Sequence, residues 1–380
     1  MMEADSAVEN TVAAGSGLRI TCERDALVAR LAVVARAVST RSAVQVLAGV
    51  LLRAEGESLE LAATDMEVSL RTTVPAHVEG VGALVVPGKL LVDIARLLPA
   101  DEVVIEHRPE DGAVQISSGS YTSRLHVYAA EDFPRLPPVD VPLHAVARPS
   151  LLDTIERVSR AASRDESRPV LTGILVRFEG STLVMAATDS YRMAVKETDL
   201  DEPGPDLDAI IPARALTELA RIASGETVEL GVQENHVVFG TGEHWLTTRR
   251  IDGQFPNYKQ LRPESFEVEL TVPREELLQV VRRAGVMVQR NSPLRLRFAE
   301  GELTVSAQSQ DVGETRESLP VAYTGDPLEI GFNAEFLREG LESVTGDEVR
   351  LQLINPLRPG LLSADGDAFW YLIMPIRLAG

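Results

Sequence analysis

A chain of 380 residues, 44% apolar but only 4% aromatic, has material for two or three domains with aliphatic cores. Its single cysteine, Cys22, excludes disulfides and thiolate metal clusters, and no apolar run approaches the roughly 20 residues of a membrane span. A net charge of −20 argues against a surface that is basic all over, so binding to nucleic acid would require the charge to be unevenly placed. Residues 1–17 carry Glu3, Asp5 and Glu9 and no hydrophobic block, which predicts a disordered N-terminal tail, no secretory signal and a cytoplasmic protein.

From Leu18 onward the chain repeats itself. The run LELAATD at 59–65 returns as LVMAATD at 183–189, and more faintly as LTVSAQS at 303–309. Val86-Pro87-Gly88-Lys89 is matched by Ile211-Pro212-Ala213-Arg214 and by Gly331-Phe332-Asn333-Ala334. Asp132-Phe133-Pro134 is matched by Gln254-Phe255-Pro256, each followed by a proline-bearing linker. Three landmarks in one order imply duplication and three similar domains, 18–140, 145–264 and 268–378. Each opens with an amphipathic helix, predicted over 25–38, 150–163 and 274–288; Leu27, Leu31, Val34 and Val38 of the first form one buried stripe. A second helix follows each Val-Pro-Gly landmark, and β-branched or alternating segments supply about eight strands per repeat. Two helices on antiparallel sheets make the fold class α+β.

The charge is indeed uneven. Five of six helical windows are net basic; together the six carry +6, which leaves −26 for the remainder. Arg24, Arg148 and Arg274 recur at one helix-start position, and Arg157, Arg160, Arg164 and Arg168 form a stripe. A shared surface that attracts phosphates explains this recurrence better than three independent solvated faces. Arg24, Arg41, Lys89, Arg148, Arg164 and Arg168 are the candidate DNA-binding residues. Zinc-finger spacing and aromatic stacking sets are missing, so such binding would ignore base sequence. Six scattered histidines and the lack of any nucleophile elbow or phosphate loop argue against an enzyme; no catalytic residue, metal or cofactor is expected. The competing reading is an enzyme or non-DNA scaffold with metal sites in the acidic loops Asp365-Gly366-Asp367 and 199–208.

The segment Tyr371 to Leu378 is apolar at nearly every position, yet Pro375 is ill suited to a central strand. It is either a structural strand or one wall of a groove.

These motifs carry a resemblance. Ala187-Thr188-Asp189-Ser190-Tyr191-Arg192-Met193, Val86-Pro87-Gly88-Lys89, 252–258 (DGQFPNY), Ile330-Gly331-Phe332-Asn333 and Met374-Pro375-Ile376-Arg377-Leu378 together resemble the bacterial replicative sliding clamps, the beta subunits of DNA polymerase III, across about 18–378. The resemblance implies a ring of two chains with six domains, helices lining a hole for duplex DNA, and a processivity factor without catalysis. It also implies a groove between the second and third domains where polymerases and the clamp loader dock through short peptides. The groove residues would be Leu171, Thr188, Ser190, Tyr191, Arg192, Met193, Pro256, Leu261, Asn333, Met374, Pro375, Ile376, Arg377 and Leu378, with Leu353 or Leu362 deepening it. Arg192 and Arg377 would hold ligand backbone or carboxylate. The dimer contact is expected between the strand 121–128 and the helix 282–290. Departures are the acidic second helix of repeat three (Glu335, Glu339, Glu342) and Asn291, where relatives often carry an aromatic.

Overall fold

The computed structural model describes residues 17–39, 43–289, 292–309 and 313–378. Repeat one folds as β1 (Leu18–Glu23), α1 (Arg24–Val34), β2 (Gly49–Glu55), β3 (Ser58–Thr64), β4 (Val68–Glu79), β5 (Gly82–Pro87), α2 (Gly88–Leu97), β6 (Glu102–Arg108), β7 (Ala113–Ser118) and β8 (Tyr121–His126). Repeat two follows as β9 (Leu143–Ala147), α3 (Arg148–Ser159), the single turn α4 (Pro169–Thr172), β10 (Gly173–Glu179), β11 (Thr182–Thr188), β12 (Arg192–Asp199), β13 (Asp208–Pro212), α5 (Ala213–Ile222), β14 (Thr227–Val232), β15 (His236–Thr241) and β16 (His244–Arg249). Repeat three is β17 (Val268–Pro273), α6 (Arg274–Gly285), β18 (Leu294–Ala299), β19 (Glu302–Ser309), β20 (Gly313–Pro320), β21 (Leu328–Phe332), α7 (Ala334–Ser343), β22 (Glu348–Leu353), β23 (Gly360–Ser363) and β24 (Phe369–Ile373). The α+β class and the antiparallel sheets are as expected, with eight strands in each repeat among the described residues.

Helix ends differ from the sequence reading. α1 stops at Val34 and continues as a 3-10 turn over Ala35–Ala37, so Ala37 rather than Val38 takes the next buried place. α3 stops at Ser159 and α6 at Gly285, short of the predicted 163 and 288. The helix starts agree within two residues, and for a reason the recurring arginines had hidden. The backbone N–H of Arg24 donates to Asp101 O at 2.7 Å, that of Arg148 to Glu226 O at 2.8 Å, and that of Arg274 to Asp347 O at 2.8 Å. Each bond satisfies one of the orphan donors of a helix N-terminus.

The chain forms two compact units. The first is 1–143 with 222–225 and 229–249; the second is 144–221, 226–228 and 250–380. The first unit therefore contains repeat one and the end of repeat two. Its strands run β8-β7-β6-β1-β4-β16-β15-β14, with β3 on β4, β2 on β3 and β5 on β2. β4 joins these parts, pairing with β16 over 68–72, with β3 over 69–75 and with β1 over 76–79. The second unit holds the sheet β13-β10-β11-β12-β24-β23-β22-β17 and the separate sheet β20-β19-β18-β21. Its core includes Leu175, Val184, Ala186, Met193, Val195, Tyr258, Leu361, Trp370 and Leu372, with Phe255 and Phe266 against them.

One rule recurs in both units. The β4–β16 ladder joins repeat one to repeat two, and the β12–β24 ladder joins repeat two to repeat three. In each, the fourth strand of one repeat pairs with the last strand of the next.

Candidate functional site

The terminal segment is held by repeats two and three together. β24 pairs with β12 in the register Arg192↔Ile373 to Lys196↔Phe369. Just past β24, Met374 N donates to Tyr191 O and Ile376 N donates to Gly331 O, both at 2.8 Å. Pro375 lies between these two donors, where no N–H is needed, which accounts for a proline in this stretch. Leu378 packs on Gly331: a Cβ there would sit 2.7 Å from Leu378 Cδ2 and 2.9 Å from Ile376 O, so only glycine admits the approach.

The turn opposite is set by Thr188 and Asp189. Asp189 Oδ1 accepts from the N–H groups of Tyr191 and Arg192, and Thr188 Oγ1 accepts from Ser190 N. Asp65 and Thr64 make the same bonds in repeat one, to Glu67, Val68 and Met66. These Thr-Asp pairs are turn caps. Both turns hold a non-glycine residue at positive φ, Ser190 at 79° and Met66 at 78°. The turn leaves Tyr191 62% exposed beside Met374, which is 40% exposed. Leu261 is exposed, while Leu171, Pro256, Pro375, Ile376 and Leu378 are half-buried. Arg377 is exposed. Asn333 caps α7, its Oδ1 accepting from Phe336 N at 3.1 Å.

Four residues expected to line the groove do other work. Met193, Leu353 and Leu362 lie in the core at 2% exposure or less. Arg192 is buried and already occupied: it donates to Asp189 Oδ2 at 3.0 Å, to Glu339 and to the Tyr371 hydroxyl, and its guanidinium stacks on the Phe336 ring. Burial would weaken its charge, but Tyr371 and Glu339 outweigh this and raise its pKa. Arg192 thus has no free guanidinium for a ligand carboxylate; it fastens the turn to α7. Phe336 and Glu339 escaped sequence reasoning because nothing local links them to Arg192, 147 positions away from Glu339.

The acidic helix of repeat three is also explained. Glu342 receives Arg160, Arg282 and Arg338. Burial would raise its pKa, but these three guanidinium groups outweigh that and lower it. Arg157 is buried at 6% exposure, bonded to Asp367 and the Ser343 carbonyl and stacked on Phe369. The predicted arginine stripe therefore splits. Arg157 and Arg160 fasten repeat two to repeat three, while Arg164 and Arg168 are exposed beyond the end of α3.

Of the phosphate-contact candidates, Lys89 and Arg164 are exposed. Arg168 is exposed but paired with Asp165 and bonded to Ser190 Oγ at 3.1 Å. Arg24 binds Asp25 and the Leu98 carbonyl just beyond α2, and Arg274 binds the Leu341 and Gly346 carbonyls near the end of α7. Such contacts cap helix carbonyls and explain part of the recurrence without DNA. Arg148 is half-buried, and Arg41 lies outside the described residues, as do Arg290 and Asn291. Three carboxylates of the acidic loops are engaged by cations, Asp367 by Arg157 and Lys196, Asp365 by Arg350 and Asp208 by Arg177, and no cluster of three or more metal-ligating side chains occurs among the described residues. Burial pushes the lone Cys22 thiol up to about 12, which leaves it unreactive.

The family described as DNA polymerase III beta subunit matches in three consecutive parts: its N-terminal domain at residues 18–137, its central domain at 145–257 and its C-terminal domain at 259–377. The beta sliding clamp of Streptomyces coelicolor is 35% identical over 378 residues, covering 96% of this chain and all of the relative. The crystal structure of the Bacillus subtilis sliding clamp superposes with a TM-score of 0.91 at 27% identity, over 96% of this chain and 100% of that one. A Pseudomonas aeruginosa sliding clamp bound to griselimycin gives a TM-score of 0.88 at 30% identity, again over 96% and 100%.

Proposed function

This chain belongs to the beta sliding-clamp family, the beta subunits of DNA polymerase III, and from that premise we propose how its own residues close a ring, hold DNA and receive partners. The protein is a non-catalytic processivity factor, a sliding clamp that tethers polymerase to its template. The three domains are 18–140, 145–264 and 268–378, and the protein works in the cytoplasm; no helix among the described residues is long and apolar enough to cross a membrane.

The observation that carries the ring is the pairing rule. β4–β16 and β12–β24 use up the fourth strands of repeats one and two and the last strands of repeats two and three. Among the described residues, the fourth strand of repeat three, β20, pairs only with β19, and the last strand of repeat one, β8, pairs only with β7. Two copies arranged head to tail satisfy the rule twice more, β20 of each against β8 of the other, with α6 beside the joint. This closes a twofold dimer and removes both open edges. Sequence reasoning proposed the β8 side and the helix; β20 joins the proposal from the strand pairing, because an edge is defined only once its neighbours are known.

Within the ring, Lys89, Arg164, Arg148 and Arg168 supply weak, sequence-independent phosphate contacts, supplemented by Arg24 and Arg41. Duplex DNA is retained by threading rather than by affinity. Polymerases and the clamp loader dock by short peptides on the surface formed by Tyr191, Leu171, Pro256, Leu261, Met374, Pro375, Ile376, Arg377 and Leu378. Methionine and aliphatic side chains there suit several partners. Thr188, Ser190, Arg192 and Asn333 shape the surface through the turn and the α7 cap.

The test has two parts. Mass in solution should be that of a dimer, and the loaded protein should stay on circular DNA and slide off linear DNA; a monomer at micromolar concentration overturns the ring. Met374→Ala, and a chain ending at Ile373, should each lose at least tenfold in affinity for polymerase-derived peptides while remaining folded dimers. Unchanged affinity moves the docking surface elsewhere.

A further inference from the structure

One address in the duplicated fold breaks the repeat symmetry. In repeat two, β10, β11 and β12 bring Arg177 opposite Val184 and Ala186 opposite Val195, and both valines are buried in the core around Tyr258. In repeat one, 124 positions earlier, the same register brings Arg53 opposite Glu60 and Ala62 opposite Arg71. Leu136 stands where the matched motif has Tyr258, after Phe133-Pro134 in place of Phe255-Pro256. An apolar pair under a phenol has become a charged pair under a smaller side chain.

The result is a cavity of about 210 Å³ lined by Leu51, Arg53, Glu60, Arg71, Phe133 and Arg135, with Ala130, Pro134 and Leu136 completing its wall. Three guanidinium groups face one carboxylate, so the lining carries a net charge of +2. Glu60 is engaged by Arg53 at 3.2 Å. Arg71 forms no ion pair among the described residues, and its hydrogen bond goes to the Pro137 carbonyl at 2.5 Å. Burial lowers the Arg71 pKa, Glu60 opposes this and Arg53 adds to it, so the group stands short of negative charge. Guanidinium forks match oxyanions in geometry, and apolar neighbours such as Leu51 and Phe133 keep the site's effective dielectric low.

We propose that this cavity binds a small phosphate-class oxyanion, held between Arg71 on β4 and Arg135 on the segment leading out of repeat one. The site shares no residue with the peptide surface or with the phosphate-contact set. Its occupant would cross-link β2–β4 to the Phe133–Leu136 segment and so stabilise the first unit on binding.

The experiment is equilibrium dialysis of the full-length dimer against radiolabelled inorganic phosphate at ionic strength fixed with chloride. Pyrophosphate and a deoxynucleoside triphosphate serve as competitors that distinguish a free from a nucleotide-borne source. Expected is saturable binding of one phosphate per chain, a melting temperature that rises with phosphate, and about tenfold weaker binding in Arg135→Ala. The double variant Glu60→Val with Arg71→Val restores the apolar pair of repeat two; it should stay folded and lose both the binding and the phosphate-dependent rise. Arg297→Ala, at an exposed arginine of repeat three, should change neither. Non-saturable binding, or binding that survives in Arg135→Ala and in the double variant alike, overturns the proposal.

Discussion

Replacing Asp367 with asparagine tests whether ion pairs between repeats two and three hold the β12–β24 ladder. Asp367 accepts from Lys196 Nζ at 2.8 Å, from Thr345 Oγ1 at 2.9 Å and from Arg157. All three ionic side chains are at most 13% exposed. Removing one member of a buried pair costs about 3–5 kcal/mol when nothing else compensates. Here Arg157 keeps the Ser343 carbonyl at 2.7 Å, Asp153 at 3.5 Å and the Phe369 ring, and asparagine keeps one acceptor, so about 2–3 kcal/mol is expected at pH 7. The pH dependence supplies an independent check. Burial would raise the Asp367 pKa, but Arg157 and Lys196 outweigh it and bring it to about 2 from 3.8. A depressed carboxylate pKa gives stability that is full above about pH 5 and is lost as pH falls through 2. The shift is nominally worth about 2.4 kcal/mol, and on the order of 1–2 kcal/mol once solvent screening is allowed for. Urea unfolding should be followed by Trp370 fluorescence in a Trp245→Phe background, since Trp370 sits in β24 beside Phe369. The gap between Asp367→Asn and its parent should narrow steadily from pH 5 to pH 2. A gap below about 0.5 kcal/mol at pH 7, or one that is unchanged at low pH, refutes the reasoning.

Gly331→Ala should lift the terminal segment, because the new Cβ meets the Ile376 carbonyl at 2.9 Å; about 1–3 kcal/mol of strain is expected. Amide exchange at Ile376 should accelerate and peptide affinity should fall, and an unchanged exchange rate would count against the packing described. Met66→Gly should raise stability by up to about 1 kcal/mol in chemical denaturation, because it relieves a positive φ at a side chain that is 63% exposed; a loss of stability would mean that Met66 makes contacts worth more than the strain. Lys89→Glu combined with Arg164→Glu should weaken binding to open duplex uniformly across sequences and make the logarithmic salt slope shallower by up to about 2 per chain. An unaltered slope would remove both residues from the DNA surface.

Much of the architecture was readable because it is periodic. The repeated Ala-Thr-Asp and Val-Pro-Gly landmarks located equivalent strands and helices, and the predicted helix starts at 25, 150 and 274 fall within two residues of the observed Arg24, Arg148 and Arg274. Helix ends were overextended, since nothing in the apolar stripe of α1 signals the tightening to a 3-10 turn after Val34. Met374 to Leu378 stood out as an apolar stretch and is indeed bonded to both Tyr191 and Gly331. Composition could not reveal that Arg192 is spent on Glu339 and Tyr371, or that Arg24 and Arg274 cap carbonyls. Those are long-range pairings, and a charged residue reads the same in sequence whether it awaits a ligand or already holds a neighbour.

The β4–β16 ladder also bears on how the molecule comes into being. Val68 pairs with Thr248 and Thr72 with His244, so the two strands are separated by more than 170 residues of chain. Closing so long a loop is slow, and the first repeat cannot complete its sheet until the end of the second has been synthesised. During that interval the outer edge of β4 is an open template for pairing with other chains. A fragment cut at the sequence-repeat boundary near residue 140 would keep that edge permanently. Nascent chains would therefore be most prone to misassociation midway through translation, and fragments divided by repeat should be less soluble than fragments that keep residues 222–249 with the first repeat.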